Sequence, residues 1–212
     1  MRILATMRHR LLDAASTTRC SQETLLSTIT ADLRLKARWC YESESPSALI
    51  KTLATDGTSS MLLYRLMQWS RRWGVSPLEM LFNRLNSAFC HCIIGRGADF
   101  GPGFVLVHAN GVVINGDVRG GANIVIEHQV TIGAERRRSP QLGSDVFIGA
   151  GAKVIGSVIV GDGARIGANA VVVADVPAYC TVVGIPARVV RCRDPVPMSP
   201  VSPGSDRTGR CT

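Results

Sequence analysis

The chain has 212 residues, a hydrophobic fraction of 46%, a formal net charge of +8 and only 5% aromatic residues. This length and composition suffice for one globular core and a small second domain. No apolar run approaches the roughly 18 residues that a membrane-spanning helix requires, which excludes a spanning segment. The basic residues are spread along the chain and form no block typical of a nucleic-acid-binding arm, so we expect no nucleic-acid partner.

The N-terminal residues and the cysteines bear on the cellular compartment. The first twenty residues mix arginines into the apolar residues and lack the uninterrupted apolar core of a signal peptide, so we expect a cytoplasmic protein. Seven cysteines, an odd number at irregular spacings, are expected to be reduced thiols. Cys90-His91-Cys92 invites a zinc interpretation, but no second ligand pair follows at finger-like spacing, so we expect no metal.

Helical patterns predict an all-α domain over residues 1–90. Apolar residues recur at helical spacing at Leu62, Leu63, Leu66, Met67 and Trp69. Start signals predict two further helices, one from Pro77 to about Phe89 after Ser76, and an earlier one from Glu23 to Arg38 behind Ser21.

The strongest pattern is a repeat of six residues. Every sixth position is apolar, in two runs: Ile94, Phe100, Leu106, Val112, Val118, Ile124 and Val130, then Leu142, Ile148, Val154, Val160, Ile166 and Val172. Three units of short strand and turn close one triangular coil of about 18 residues, whose axis admits only modest aliphatic side chains. The repeat therefore predicts a left-handed parallel β-helix over residues 91–193, in which residues 18 apart lie above one another.

The repeat pauses between Ile132 and Leu142, where the three arginines Arg136–Arg138 predict a loop outside the β-helix. We expect the repeat to resume in register, because Val130 and Leu142 are twelve residues apart. Beyond the last repeat, prolines break the pattern and predict an extended C-terminal cap. Residues 194–212, rich in proline and serine, are expected to be disordered.

Four stretches of the sequence carry a family resemblance. They are MLLYRLMQWSRRWG in the helical part, then IGRGADFGPGFVLVHANGVVI, IGAGAKVIGSVIVGDGARIGANAVV and VVGIPARVV in the repeat. Together they resemble bacterial serine O-acetyltransferases, a family of hexapeptide-repeat acyltransferases, from about Asp32 to Arg191. The resemblance implies transfer of acetyl from acetyl-CoA to the hydroxyl of L-serine, in cysteine biosynthesis. It also implies a homotrimer, with a dimer of trimers as the alternative assembly.

Two histidines of the repeat are candidate catalytic residues. The resemblance implies that His108 is the general base, because an alcohol is a poor nucleophile at neutral pH and imidazole can take its proton during attack. His128 lies 20 residues further on, so we expect it one coil later and displaced along the face. A hydrogen-bonding helper role and a solvent-exposed corner are both open for His128.

A groove for the acyl donor is predicted from stacking. Ala150 and Ala168 each follow Ile-Gly and are 18 residues apart, so two small residues are expected one above the other. The matching family positions line the acetyl-CoA site, which implies that Gly149, Ala150 and Ala168 do so here. Lys153 and Arg188 are candidates for the nucleotide phosphates. The arginine loop is a further candidate, or a solvated basic loop.

Several positions depart from the family pattern. The carboxylate usually found fifteen residues before the histidine is Ile93 here, and the aspartate that commonly precedes the histidine is Val107. Ser139 stands where the family has a second histidine ahead of a proline. Gly95-Arg96 stands where the family has the first His-Pro of the β-helix. The sequence leaves open which carboxylate replaces the missing one, for instance Glu127, or Asp99 of the partner subunit.

These departures keep other functions open. One alternative retains acetyl transfer but changes the acceptor to a sugar, a polysaccharide unit or another small alcohol. Another is a non-catalytic trimeric scaffold, which does not need a histidine at the groove. A carbonic-anhydrase-like zinc site is disfavoured, because only His108 and His128 lie on the predicted β-helix.

Overall fold

A computed structural model describes residues 24–194. The first twenty residues, in which we predicted no signal peptide, and the predicted helix start at Ser21 to Glu23 lie outside the described residues. So does the tail predicted to be disordered, apart from Asp194. No helix in the described part of the chain is both long enough and apolar enough to span a membrane.

Residues 24–90 are mainly helical. Four helices occur among them: α1 (Leu25–Tyr41), α2 (Pro46–Leu53), α3 (Thr58–Arg72) and α4 (Ser76–Cys90). The first two begin at capping hydroxyls, because Thr24 and Ser45 accept hydrogen bonds from backbone N–H groups three residues on. Helices α1, α3 and α4 confirm the three predicted helices. Helix α2, with eight residues, is too short to show a clear period in the sequence.

Short strands follow and form the three faces of a solenoid. Sheet A contains β1 (Ile93–Ile94), β4 (Val113–Ile114), β7 (Thr131–Gly133), β10 (Lys153–Ile155) and β13 (Val171–Val172). Sheet B contains β2 (Asp99–Phe100), β5 (Arg119–Gly120), β8 (Gln141–Leu142) and β11 (Ile159–Val160). Sheet C contains β3 (Phe104–Leu106), β6 (Ile124–Ile126), β9 (Phe147–Ile148), β12 (Arg165–Ile166), β14 (Cys180–Val183) and β15 (Arg188–Cys192).

The strand pairings confirm the predicted fold class. Within residues 24–194, neighbouring strands pair in parallel except for the antiparallel pair β14 and β15. All thirteen positions of the six-residue repeat are buried and fill the interior of the solenoid. The chain is thus an α-helical region followed by a left-handed parallel β-helix.

The predicted register is wrong in the second coil. Leu106 pairs with Ile126, 20 residues on, whereas Ile114 pairs with Ile132, 18 residues on. The two additional residues therefore lie between Leu106 and Ile114, in the turn that carries His108. As a result, the residues of the second coil that pair with Ile94, Phe100 and Leu106 are Ile114, Gly120 and Ile126, and not Val112, Val118 and Ile124.

The sequence hides this shift for a physical reason. Val118 is fully buried, so an apolar count alone does not separate it from the strand position two residues later. That later position is Gly120, and a Cβ there would lie only 2.4 Å from Cδ1 of Phe100. The phenyl ring of Phe100 therefore takes the place of the side chain that the repeat lacks.

The interruption of the repeat is a loop, as predicted. It joins β7 to β8, and Glu135 and Arg138 form an isolated antiparallel bridge within it. The repeat does not resume in the predicted register. The step from Ile132 on sheet A to Leu142, the next buried strand position on sheet B, is ten residues and not a multiple of six. Arg136–Arg138 are exposed, which agrees with their predicted exclusion from the interior.

The C-terminal cap contains a disulfide, which corrects the prediction of reduced cysteines. Strand β14 adds in parallel to β12, and β15 returns antiparallel beside it. This return brings Cys180 opposite Cys192, and their sulfurs are bonded. The spacing of the cysteines in the sequence does not reveal this pair, because the two residues become neighbours only when β14 and β15 form a hairpin. Cys40, Cys90 and Cys92 are free, while Cys20 and Cys211 lie outside the described residues.

The helices pack on the first coils of the β-helix. The hydroxyl of Tyr64 on α3 donates to the carbonyl of Ala98 at 3.2 Å and accepts the N–H of Phe100 at 3.1 Å. On α1, the ring of Trp39 stacks on Phe147 of sheet C, with centroids 5.2 Å apart. Tyr64 thus anchors α3 to strand β2 of sheet B, and Trp39 anchors α1 to sheet C. Helices α1 and α3 also pack against β3, which leads into the turn of His108.

Candidate active site

The candidate base, His108, projects from an enlarged turn. It follows strand β3 by two residues and lies in the segment that contains the two additional residues of the coil. Its side chain is 54% exposed, so the imidazole is open to a small molecule. The side chain therefore lies at the surface of the β-helix, where a diffusible acceptor can reach it, as general-base catalysis requires.

A carboxylate from the helical region contacts the imidazole. Oδ2 of Asp56 lies 3.1 Å from Nδ1 of His108, although the two residues are 52 positions apart. Asp56 belongs to the short connection between α2 and α3, and its other oxygen accepts the N–H of Gly57 at 2.7 Å. A carboxylate thus stands beside the histidine even though Ile93 occupies the position where the family has one.

Sequence reasoning missed Asp56 and considered other carboxylates. Glu127 lies beside the second histidine, with Oε2 at 3.8 Å from Nδ1 of His128. Asp99 of this chain accepts a hydrogen bond from Gln68 at 2.8 Å. An Asp-Gly pair at the start of a helix was the available signal, but it marks a turn and does not identify the partner of the carboxylate.

A buried lysine lies under the Asp56 turn. Lys36 of α1 is fully buried, and its ammonium donates to the backbone carbonyl of Asp56. Burial lowers the pKa of Lys36 to about 8, against the opposing influence of Cys40 and Asp56, which favour the charged form. Lys36 therefore ties α1 to the turn that carries the carboxylate.

His128 is stacked on His108, which corrects its predicted displacement. Each histidine follows its strand by two residues, and the strand ends Leu106 and Ile126 are directly paired. The two rings lie edge to face, with centroids 5.9 Å apart. The 20-residue spacing thus matches the true length of this coil, whereas the 18-residue rule displaced the second histidine.

The two predicted groove alanines continue the same column. Ile126 pairs with Ile148, and Ile148 with Ile166. His128, Ala150 and Ala168 each follow one of these residues by two positions. The histidines are thus succeeded, coil by coil, by two small residues, of which Ala150 is half-buried and Ala168 exposed. The surface beyond the imidazoles is open along this line.

The other predicted donor-binding residues are less closely associated with this column. Gly149 has a steric reason to be glycine, since a Cβ there would lie 2.7 Å from the backbone nitrogen of Ala168. Lys153 belongs to sheet A, and its ammonium donates to the carbonyl of Gln129 at 2.5 Å. Arg188 is exposed on β15. The arginine loop lines an open cavity with Glu135, Arg136 and Arg138, and Ser157, which follows β10, lines the same cavity.

The departures on the acceptor side are also visible. Val107 is partly buried and packs against the apolar core. The hydroxyl of Ser139 donates to Oδ1 of Asn115 at 2.9 Å. Within residues 24–194, no three His, Cys, Asp or Glu side chains are grouped so that they could hold a metal ion.

Comparison with known proteins identifies the family. A sequence model described as bacterial transferase hexapeptide (six repeats) matches residues 139–174. The serine acetyltransferase of Synechococcus elongatus is 33% identical over 172 residues, which are 78% of this chain and 69% of that protein. The chain belongs to the serine acetyltransferase family. The resemblance noted in the sequence is confirmed, and the family is one of acyltransferases.

Solved serine acetyltransferases share the fold. The structure from Neisseria gonorrhoeae in complex with serine is 32% identical, with a TM-score of 0.69, and the match covers 77% of this chain and 68% of that one. The structure from Brucella abortus in complex with coenzyme A is 30% identical, with a TM-score of 0.67, covering 75% of this chain and 66% of that one. The chain thus spans about two thirds of the length of these solved serine acetyltransferases.

Proposed function

We propose that this serine acetyltransferase family member transfers the acetyl group of acetyl-CoA to the hydroxyl of L-serine, with His108 as the general base. The relatives that support this activity bear the name serine acetyltransferase, and related structures hold coenzyme A or serine. The observation that carries the role of His108 is the Asp56 carboxylate 3.1 Å from its Nδ1, which leaves Nε2 for the acceptor. We place the reaction in cysteine biosynthesis, in the cytoplasm.

The chemistry follows from the free nitrogen of His108. Nε2 takes the proton of the acceptor hydroxyl as its oxygen attacks the thioester carbonyl carbon. The C–S bond then breaks, and the departing thiolate takes the proton from the imidazolium, so the base is regenerated. A backbone N–H beside the reacting carbonyl would stabilise the charge on its oxygen.

The donor site is proposed along the column beyond the histidines. Small side chains at Ala150 and Ala168 would let a pantetheine arm approach the backbone, and Gly149 keeps the two coils close. Lys153 and Arg188 would then supply positive charge to the nucleotide phosphates. His128, stacked on His108, is proposed as a hydrogen-bonding helper.

The assembly is proposed to be a homotrimer, with a dimer of trimers as the alternative. In this arrangement the β-helix domain, residues 91–193, supplies flat faces for neighbouring subunits, and the pantetheine arm lies between them. The described part of the helical domain, residues 24–90, packs on its own β-helix through Tyr64 and Trp39. Exposure of His108 in a single chain is consistent with a site that a neighbour completes.

A second acceptor class has a specific observation in its favour. Val107 packs on the core, and the hydroxyl of Ser139 is bonded to Asn115, so neither offers charge to the amino or carboxylate group of serine. A sugar, a polysaccharide unit or another small alcohol would not need those charges. The scaffold alternative does not account for an exposed imidazole with a carboxylate partner.

The experiment that tests the proposal compares acceptors directly. The purified full chain is incubated with acetyl-CoA and, in turn, L-serine, homoserine and several sugars, while released thiol and acetylated product are measured. We expect turnover with L-serine and O-acetylserine as the product. Turnover with a sugar but not with L-serine would show that the acceptor is a sugar. No thiol release with any acceptor would favour the non-catalytic scaffold.

A further inference from the structure

We infer that Asp56 is the positioning residue for His108, so that a carboxylate of the helical region does the work for which the β-helix has no residue at Ile93. This inference rests on the proposed function of His108 as the general base. An ionised carboxylate on Nδ1 keeps the proton on that nitrogen, leaves Nε2 free to accept, and stabilises the imidazolium that forms during attack.

The carboxylate of Asp56 is oriented through both of its oxygens. Oδ1 accepts the backbone N–H of Gly57 at 2.7 Å, and Oδ2 faces Nδ1 of His108 at 3.1 Å. The side chain thus has one anchored oxygen and one oxygen directed at the imidazole. This division of roles suits a group that fixes a ring orientation and a tautomer.

The turn that carries Asp56 is built to lie against the strand of His108. Gly57 has a φ of +81°, a conformation that favours glycine. A Cβ at Gly57 would lie 2.3 Å from the carbonyl oxygen of Leu106, the last residue of β3. Only glycine therefore lets the turn approach the strand end, which is two residues before His108.

The turn is also supported from beneath and from its own helix. The buried ammonium of Lys36 donates to the carbonyl of Asp56 and would lie 3.1 Å from a Cβ at Gly57. Helix α3, with 15 residues, begins at Thr58, so Asp56 stands just before its N-terminus. The turn is therefore held from α1 as well as from α3.

Asparagine and alanine at position 56 distinguish positioning from mere packing. In Asp56→Asn, the Gly57 N–H still binds the amide oxygen, so the NH₂ group faces Nδ1. That donor stabilises the tautomer whose proton is on Nε2, and such an imidazole cannot accept the hydroxyl proton. We therefore expect Asp56→Asn to be no better than Asp56→Ala, although asparagine matches the shape of aspartate.

The experiment measures kcat and the KM of each substrate for the full chain and its Asp56→Ala, Asp56→Asn, His108→Ala and Asp56→Asn/His108→Ala variants. Asp117→Asn, at an exposed carboxylate, is the matched control. We expect kcat of both Asp56 variants to fall about 10- to 100-fold with each KM within about twofold. We also expect the double variant to match His108→Ala, with wild-type thermal unfolding throughout.

The outcomes separate the two proposals. If His108→Ala abolishes turnover while Asp56→Asn stays near the wild type, the positioning role is overturned and the base remains. The positioning role is also overturned if Asp56→Asn is clearly better than Asp56→Ala, because a packing role predicts that order. If His108→Ala keeps wild-type turnover, both the base and its positioning residue are overturned.

Discussion

Arg65 of α3 and Asp32 of α1 form a bidentate ion pair, with Nε 2.7 Å from Oδ2 and Nη2 2.9 Å from Oδ1. Both side chains are almost fully buried. Arg65 also donates to the carbonyls of Phe100 and Gly101, and Asp32 accepts two backbone N–H groups of the same coil. One network therefore joins α1 and α3 to the first coil of the β-helix. The turn of Asp56 directly precedes α3.

The first prediction concerns this ion pair. Arg65→Met leaves the Asp32 carboxylate buried without its cation, which should lower the free energy of unfolding by about 3–5 kcal/mol. Urea denaturation followed by circular dichroism measures the change. Arg34→Met, at an exposed arginine of α1, is the control and should stay within about 0.5 kcal/mol of the wild type. A loss below about 1 kcal/mol for Arg65→Met would show that the pair does not hold the two regions together.

The second prediction separates the two histidines. His128 stacks on His108 but, within residues 24–194, forms no hydrogen bond with Asp56, so its removal leaves the proposed base and its carboxylate in place. We expect His128→Ala to lower kcat by at most about tenfold. Steady-state thiol release gives the value. A loss equal to that of His108→Ala would make the two imidazoles equal partners.

The third prediction concerns the donor groove. Ala168 is exposed, so Ala168→Trp adds bulk to the proposed groove without disturbing the core. We expect the KM for acetyl-CoA to rise by at least about tenfold while the KM for the acceptor stays unchanged. Ala174→Trp, at an exposed alanine after β13, is the control and should behave as the wild type. An unchanged KM for acetyl-CoA in Ala168→Trp would move the groove elsewhere.

The fourth prediction uses the lowered pKa of Lys36. Burial lowers this pKa to about 8 from an ordinary 10.5, so between these values the unfolded chain binds more protons than the folded one. The free energy of unfolding should therefore rise with pH in this window. From about pH 7.5 to about pH 9.5, we expect the wild type to gain about 2 kcal/mol relative to Lys36→Met.

Denaturation curves at the two pH values test this sign. Lys51→Met replaces an exposed lysine and should show the same pH dependence as the wild type. A wild type that gains nothing over Lys36→Met across the window would mean that Lys36 is charged without penalty in the folded protein.

Much of the fold could be predicted from the sequence, because apolar spacing reports burial directly. The thirteen repeat positions are buried and the arginine loop projects, as predicted. The register could not be predicted, because Gly120, and not the apolar Val118, pairs with Phe100. The ring of Phe100 fills the space that a side chain at Gly120 would occupy. Counting by six therefore displaced His128, whereas the pairing of Leu106 with Ile126 stacks it on His108.

The parts of the site that escaped prediction arise from tertiary contacts. Asp56 lies 52 positions before His108, on a turn that follows the unpredicted helix α2. Its role depends on the close approach of Gly57 to β3, for which local sequence gives no distance. The disulfide likewise depends on a hairpin that brings Cys180 opposite Cys192.

The most direct measurement compares thiol release from acetyl-CoA by the wild type and His108→Ala at saturating L-serine. We predict a loss of at least about a hundredfold in kcat for the variant, with unchanged thermal unfolding and unchanged size in solution. Wild-type turnover by a folded His108→Ala protein would contradict the central claim that this imidazole takes the acceptor's proton.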